Sequence, residues 1–137
     1  MSEVTGLNID VEDGIALLRL DRPDRLNSLT FEIYGALERL FIDLESRDDV
    51  RVVILTGTGK GFCSGGDVHE IIGNLVGADA ETVTKFARMT GAVVRNMRRL
   101  RKPIISAING TAAGAGAVPA LASDLRVAAD HAKIAVL

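Results

Sequence analysis

The sequence predicts an α/β fold, and three observations carry the prediction. Two uninterrupted apolar runs, Val52–Leu55 and Ile104–Ile108, read as buried strands. Amphipathic helical stretches alternate with such runs, which is the pattern of strand–helix–strand units. Each buried run is followed by a segment of small residues, CSGGD at Cys63–Asp67 and NGTAAGAG at Asn109–Gly116.

The elements follow in order. Leu7–Val11 and Ile15–Leu20 are strand-like, and Asp13-Gly14 between them is a hairpin signal. Arg22-Pro23-Asp24-Arg25 breaks the pattern. Thr30 is a plausible N-cap with Glu32 in the first turn. Ile33, Leu37, Leu40, Phe41 and Leu44 then recur at helical spacing, predicting a helix that ends near Ser46. Val68–Ile72 reads as a short helical turn and Gly73–Asp79 as a weakly structured connection. Glu81–Leu100 is a longer amphipathic helix stopped by Lys102-Pro103. Thr111–Ala122 reads as a loop turning into a helix, and Leu125–Ala129 and Ile134–Val136 as the last strands. The chain stops at Leu137 in mid-pattern, and no internal repeat is visible.

Composition narrows the function classes. Of the 137 residues, 47% are hydrophobic and 25% charged, which is a globular balance. The net charge of −2 and the absence of tryptophan argue against a nucleic-acid surface. No run reaches the roughly 18 apolar residues of a membrane span, and the acidic N-terminus resembles no export or transit signal. A soluble cytoplasmic protein is expected. Cys63 is the only cysteine, so no intramolecular disulfide is possible. The basic cluster Arg95, Arg98, Arg99, Arg101 and Lys102 suits a helix C-terminus, with a phosphate-bearing ligand or partner as the alternative.

The two glycine segments carry the chemistry. Glycine allows close backbone approach and positive φ, and a helix opening after such a loop presents free N–H groups. Two loops facing each other could aim two N–H donors at one carbonyl oxygen, each worth about 3 kcal/mol to a developing oxyanion. A dinucleotide loop fits poorly, because Pro119 stands where a third glycine belongs. No Gly-Lys-Ser/Thr occurs, and no nucleophile elbow surrounds Ser64. Cys63 reads as a small packing residue. Asp67 reads as a local hydrogen-bonding group, Glu70 as a residue facing solvent or a ligand edge, and His69 and His131 as isolated.

Three stretches then resemble the enoyl-CoA hydratase/isomerase (crotonase) family: LDRPDRLNSLT (Leu20–Thr30), VRVVILTGTGKGFCSGGDV (Val50–Val68) and KPIISAINGTAAGAGAVPALASDLRVAA (Lys102–Ala129). The resemblance implies a crotonase (ClpP-like) spiral of ββα units, here truncated before the C-terminal helices. Residues 1–137 would be the N-terminal part of a single core domain, with the C-terminal part of the family fold absent. It implies an acyl-CoA thioester as ligand, fatty acid metabolism as the setting, and a homo-oligomer, trimer or hexamer. No metal and no separate cofactor are expected, since the substrate itself carries coenzyme A. Gly66 and Ala115 match the two oxyanion positions, acting through backbone N–H. Asp24, Arg25 and Leu26 match the segment lining the adenine and phosphate part of CoA. Ser64, Asp67, Val68 and His69 match residues bordering the same ligand.

One departure bears on the reaction. Val118 stands where the family's hydratases carry a glutamate, three residues beyond the second oxyanion position, and a second glutamate comes from a later segment that this sequence lacks. Valine moves no proton. The reading is an acyl-CoA-binding enzyme of the hydratase/isomerase type that polarises a thioester carbonyl. The alternative is a non-catalytic, truncated acyl-CoA-binding fragment.

Overall fold

The computed structural model describes residues 4–136. In chain order the elements are β1 (Leu7–Glu12), β2 (Ile15–Leu20), α1 (Phe31–Asp43), β3 (Val52–Gly57), α2 (Gly73–Leu75) and α3 (Ala80–Arg99), then β4 (Ile104–Ile108), β5 (Ala112–Ala113), α4 (Ala117–Ala122), β6 (Leu125–Ala128) and β7 (Ile134–Ala135). Strands β1-β2-β3-β4-β6 form one sheet in that order, and β5 pairs with β7 in a second.

The β1–β2 hairpin is antiparallel, and Glu12 faces Ile15 across its turn. Asp13 (φ 52°) and Gly14 (φ 82°) both take positive φ, which is the backbone a two-residue hairpin requires. From β2 onward every pairing in the large sheet is parallel. Register aligns Ala16 with Val53 and Val53 with Ile104, and it aligns Leu18 with Leu55 and Leu55 with Ser106. All six are at most 1% exposed. The five apolar ones join one core with Leu37, Leu40 and Phe41 of α1 and Val93 and Met97 of α3. Each fully buried leucine or isoleucine contributes about 1.5–3 kcal/mol through lost water contact.

The other face of the sheet is open among the described residues. Ile54 and Ile105 are only half-buried, and Leu125 and Val127 are 59% and 64% exposed. The expected burial of Val52–Leu55 and Ile104–Ile108 therefore holds on the helix-covered face alone.

The helices hold one another as well as the sheet. Asn96 Nδ2 donates to Glu38 O at 2.9 Å, linking α3 to α1. The Phe86 ring meets Phe31 and Tyr34 edge to face, with centroids 5.3 and 5.5 Å apart. Thr30 caps α1, its Oγ1 accepting from Ile33 N at 3.2 Å. Asp79 caps α3 in the same way from Thr82 N at 2.8 Å, a cap the periodicity alone did not reveal. Three members of the basic cluster are engaged structurally. Arg98 pairs with Asp124, Arg101 with Glu45, and Lys102 Nζ donates to the carbonyls of Leu44 and Arg47, just beyond the end of α1. No helix among the described residues is long and apolar enough to cross a membrane.

Candidate functional site: two glycine loops at the mouth of an apolar cavity

The first loop is held by backbone pairing to the segment before α1. Leu29 N donates to Gly65 O at 2.8 Å, and Asp67 N donates to Leu29 O at 2.9 Å. In this parallel pairing Leu29 uses the groups on either side of Gly66, so the Gly66 N–H points away from it. Among the described residues that N–H has no acceptor. Gly65 sits at φ 114°, a conformation side chains strain to adopt, and it turns the chain between Ser64 and Gly66.

The second loop lies against the first. Cys63 N donates to Thr111 O at 3.1 Å, and Ala113 N donates to Cys63 O at 3.0 Å. A Cβ on Gly116 would overlap the Cys63 carbonyl, so only glycine lets the two loops close to this distance. Residues Gly114–Gly116 form a 3-10 turn that leads into α4. Ala115 lies in its first turn, where backbone N–H groups lack intrahelical acceptors, and no described residue outside the turn accepts from it. A Cβ built on Gly65 would stand 3.8 Å from Ala115 N. The fold thus sets the Gly66 and Ala115 N–H groups in adjacent loops, both unspent.

An apolar cavity of about 330 Å³ opens beside them, between α1, α3 and α4. Ala115, Val118 and Pro119 contribute one wall, and Leu29, Leu37 and Met97 are among the residues opposite. Pro119 is the third residue of α4, where its missing N–H disturbs nothing. Val118 is 43% exposed and offers the cavity only methyl groups.

The other residues singled out from sequence fall into two groups. Asp24, Arg25, Leu26, Ser64, Val68 and His69 are all exposed. Two of these stretches touch: Ser64 N donates to Leu26 O at 3.0 Å, and Ser64 Oγ donates to Arg25 O at 3.4 Å. Asp67 instead is turned inward and is 7% exposed. Its Oδ1 accepts from His69 N and Glu70 N at 3.0 and 2.8 Å, and its Oδ2 faces Arg22 and Ser28 Oγ at 3.3 Å. The Glu70 N–H above all, with the Arg22 guanidinium and the His69 N–H, holds the Asp67 carboxyl below the usual carboxylate range. Its side chain is committed to the loop, which leaves only its backbone to border a ligand.

Glu70 does not face solvent or ligand as expected. Its Oε1 accepts from Phe31 N at 3.1 Å, supplying the first turn of α1 with an anion. His131 reaches the Asn109 carbonyl through Nε2 at 3.1 Å. Cys63 is fully buried, and burial pushes its thiol up to about 11, so it is no nucleophile. Among the described residues no group of three or more His, Cys, Asp or Glu could hold a metal ion.

Two positioning residues escaped the sequence reading. Arg22 donates to Ser28 O and Oγ at 2.7 and 2.8 Å and also reaches Asp67. Asn27, at φ 58° and 1% exposed, accepts from Arg22 N and donates to Thr58 O and Gly61 O at 2.9 and 2.8 Å. The available signal was an asparagine three residues before the α1 cap, a residue type that tolerates the left-handed region.

Comparison with known proteins gives the family. The family described as enoyl-CoA hydratase/isomerase matches residues 10–136. A 1,2-epoxyphenylacetyl-CoA isomerase of Escherichia coli (strain K12) is 40% identical over 123 residues, covering 90% of this chain and 47% of that protein. A solved structure from Streptomyces coelicolor A3(2) superposes with a TM-score of 0.93 at 48% identity, over 98% of this chain and 49% of that one. An enoyl-CoA hydratase/isomerase structure from Mycobacterium paratuberculosis superposes with a TM-score of 0.90 at 30% identity, over 98% and 53%. The chain spans about half the length of the relatives it matches. With its fold, its two facing glycine loops and this match over nearly its whole length, the chain belongs to the enoyl-CoA hydratase/isomerase family.

Proposed function

We propose that this chain binds an acyl-CoA thioester and polarises its carbonyl with the backbone N–H groups of Gly66 and Ala115. The observation that carries the reading is the placement of two unspent N–H donors in adjoining loops beside an apolar cavity. A thioester oxygen accepting from both would gain stabilisation as it takes on enolate charge, about 3 kcal/mol per donor. The acyl group would enter the cavity between α1, α3 and α4. The CoA portion would run outward along the exposed edge formed by Asp24–Leu26, Ser64, Val68 and His69, with the Asp67 backbone beneath it. Arg25 is placed there to meet a phosphate.

The proton chemistry is the open half of the activity. Hydratase and isomerase are both represented by name among the relatives, and they differ in how protons move about the α and β carbons. Val118 supplies no acid or base from α4. The function proposed is therefore carbonyl activation of a CoA thioester. A second reading, non-catalytic acyl-CoA binding, is favoured by Val118 alone. Titration calorimetry with acyl-CoA and with free CoA tests binding. Tighter binding of the thioester than of CoA is expected, and equal binding would contradict the role of the cavity.

A further inference from the structure

One polar side chain in the cavity wall has no part in this scheme. Tyr34 lies on the inner face of α1 and is 7% exposed. Its ring lines the cavity and rests edge-on against Phe86. The phenol finds no hydrogen-bond partner among the described residues. It is not sealed off either: Thr58 Oγ1 is the single fully enclosed, unpartnered side-chain polar atom among them. The Tyr34 hydroxyl therefore keeps some accessible surface, and the cavity is the space its residue lines. Thr90, the other hydroxyl in the wall, is already committed, donating to Ala87 O at 3.0 Å.

Buried phenols ordinarily have a partner, because an unpaired one loses its hydration for nothing. Apart from Thr90 the side chains of the surrounding wall are hydrocarbon, and burial above all, with the neighbouring Cys63, keeps the phenol protonated, pushed up to about 12. A neutral O–H donor is thus present across the physiological range. A purely hydrocarbon acyl chain filling the cavity would leave that donor without a partner. An acyl group carrying an oxygen at the matching depth would give it one. Discrimination of this kind is large, because the wrong ligand strands a buried polar group.

From this we infer that the cavity selects oxygen-bearing acyl groups, a hydroxyl, ether or ketone on the acyl chain, with the Tyr34 hydroxyl as the donor that recognises the oxygen. The inference rests on the acyl-CoA reading above. Tyr34 acts as a specificity-determining residue and takes no part in carbonyl activation.

The test is calorimetric titration of the 137-residue chain and its Tyr34→Phe variant. The probes are octanoyl-CoA and a series of hydroxyoctanoyl-CoAs with the hydroxyl at successive chain positions. At least one hydroxyl isomer should bind the native chain about tenfold tighter than octanoyl-CoA. In Tyr34→Phe that advantage should vanish while octanoyl-CoA binds within about a factor of two of its native affinity. The variant should also keep or raise the midpoint of thermal unfolding, since it removes an unpaired phenol; a clear drop would mean the hydroxyl serves the fold and would overturn the inference. Octanoyl-CoA binding with no preference for any isomer, or a preference that survives Tyr34→Phe, would overturn it too and leave the acyl-CoA reading intact. No binding of any thioester would overturn both.

Discussion

Arg22 reaches Asp67 across 3.3 Å, and this contact fastens the turn before α1 to the loop that carries Gly66. Both side chains are largely buried, and each also bonds to Ser28. The Gly66 N–H is held in place by this cluster rather than by any bond of its own.

The Asp67 carboxyl is held below its ordinary range, chiefly by the Glu70 N–H and then by Arg22. A carboxylate depressed by folding contributes stability that is fully present above its unfolded pKa, about 3.9. That contribution is lost as pH falls through the lower, folded value. Asp67→Asn should therefore lower the unfolding midpoint at neutral pH, and the gap between variant and native chain should close below about pH 4. Urea denaturation across that range checks it. A gap that widens in acid would contradict the assignment.

Gly116→Ala should cost about 1–3 kcal/mol, because the added methyl would fall on the Cys63 carbonyl. Ala115→Ser, at an exposed position in the same turn, should change stability by less than about 0.5 kcal/mol. Chemical denaturation of the two variants separates loop closure from mere sequence change in the loop.

Cys63 should resist alkylation at pH 8 in the folded chain and react only on unfolding. Its thiol is fully buried and pushed up to about 11. Thiol titration with and without denaturant reads this directly. Fast labelling of the folded chain would mean that the loop opens.

Val118→Glu should place a carboxyl at the cavity mouth with little loss of stability, since the side chain is 43% exposed. A positioned acid–base group is worth about 10²–10⁴-fold. Loss of enoyl-thioester absorbance should then run at least about 10²-fold faster than with the native chain. An unchanged rate, with acyl-CoA binding intact, would contradict Val118 as the position where an acid–base group completes the site.

Much of this was legible in the sequence because it is local. Asp13-Gly14 dictates the hairpin, Thr30 the start of α1, and the β-branched runs the central strands. The glycine loops were legible because close backbone approach leaves a compositional trace, as at Gly116 against Cys63. Contacts over long sequence separation were not. Glu70 reaches Phe31, Arg22 reaches Asp67, and β5 pairs with β7, none of which periodicity can foretell. The cavity was hidden for the same reason: Tyr34, Phe86 and Val118 come from three helices, and nothing in any one helix pattern separates a cavity wall from packed core.

The central claim is that the Gly66 and Ala115 N–H groups polarise one thioester carbonyl, and its most direct measurement is isotope-edited infrared difference spectroscopy of acyl-CoA bound to the chain. The account predicts that the thioester C=O stretch shifts to lower frequency on binding. It predicts a smaller shift for Ala115→Pro, which removes one of the two donors. A bound thioester whose carbonyl stretch stays at its value in water, or shifts equally in the variant, would contradict it.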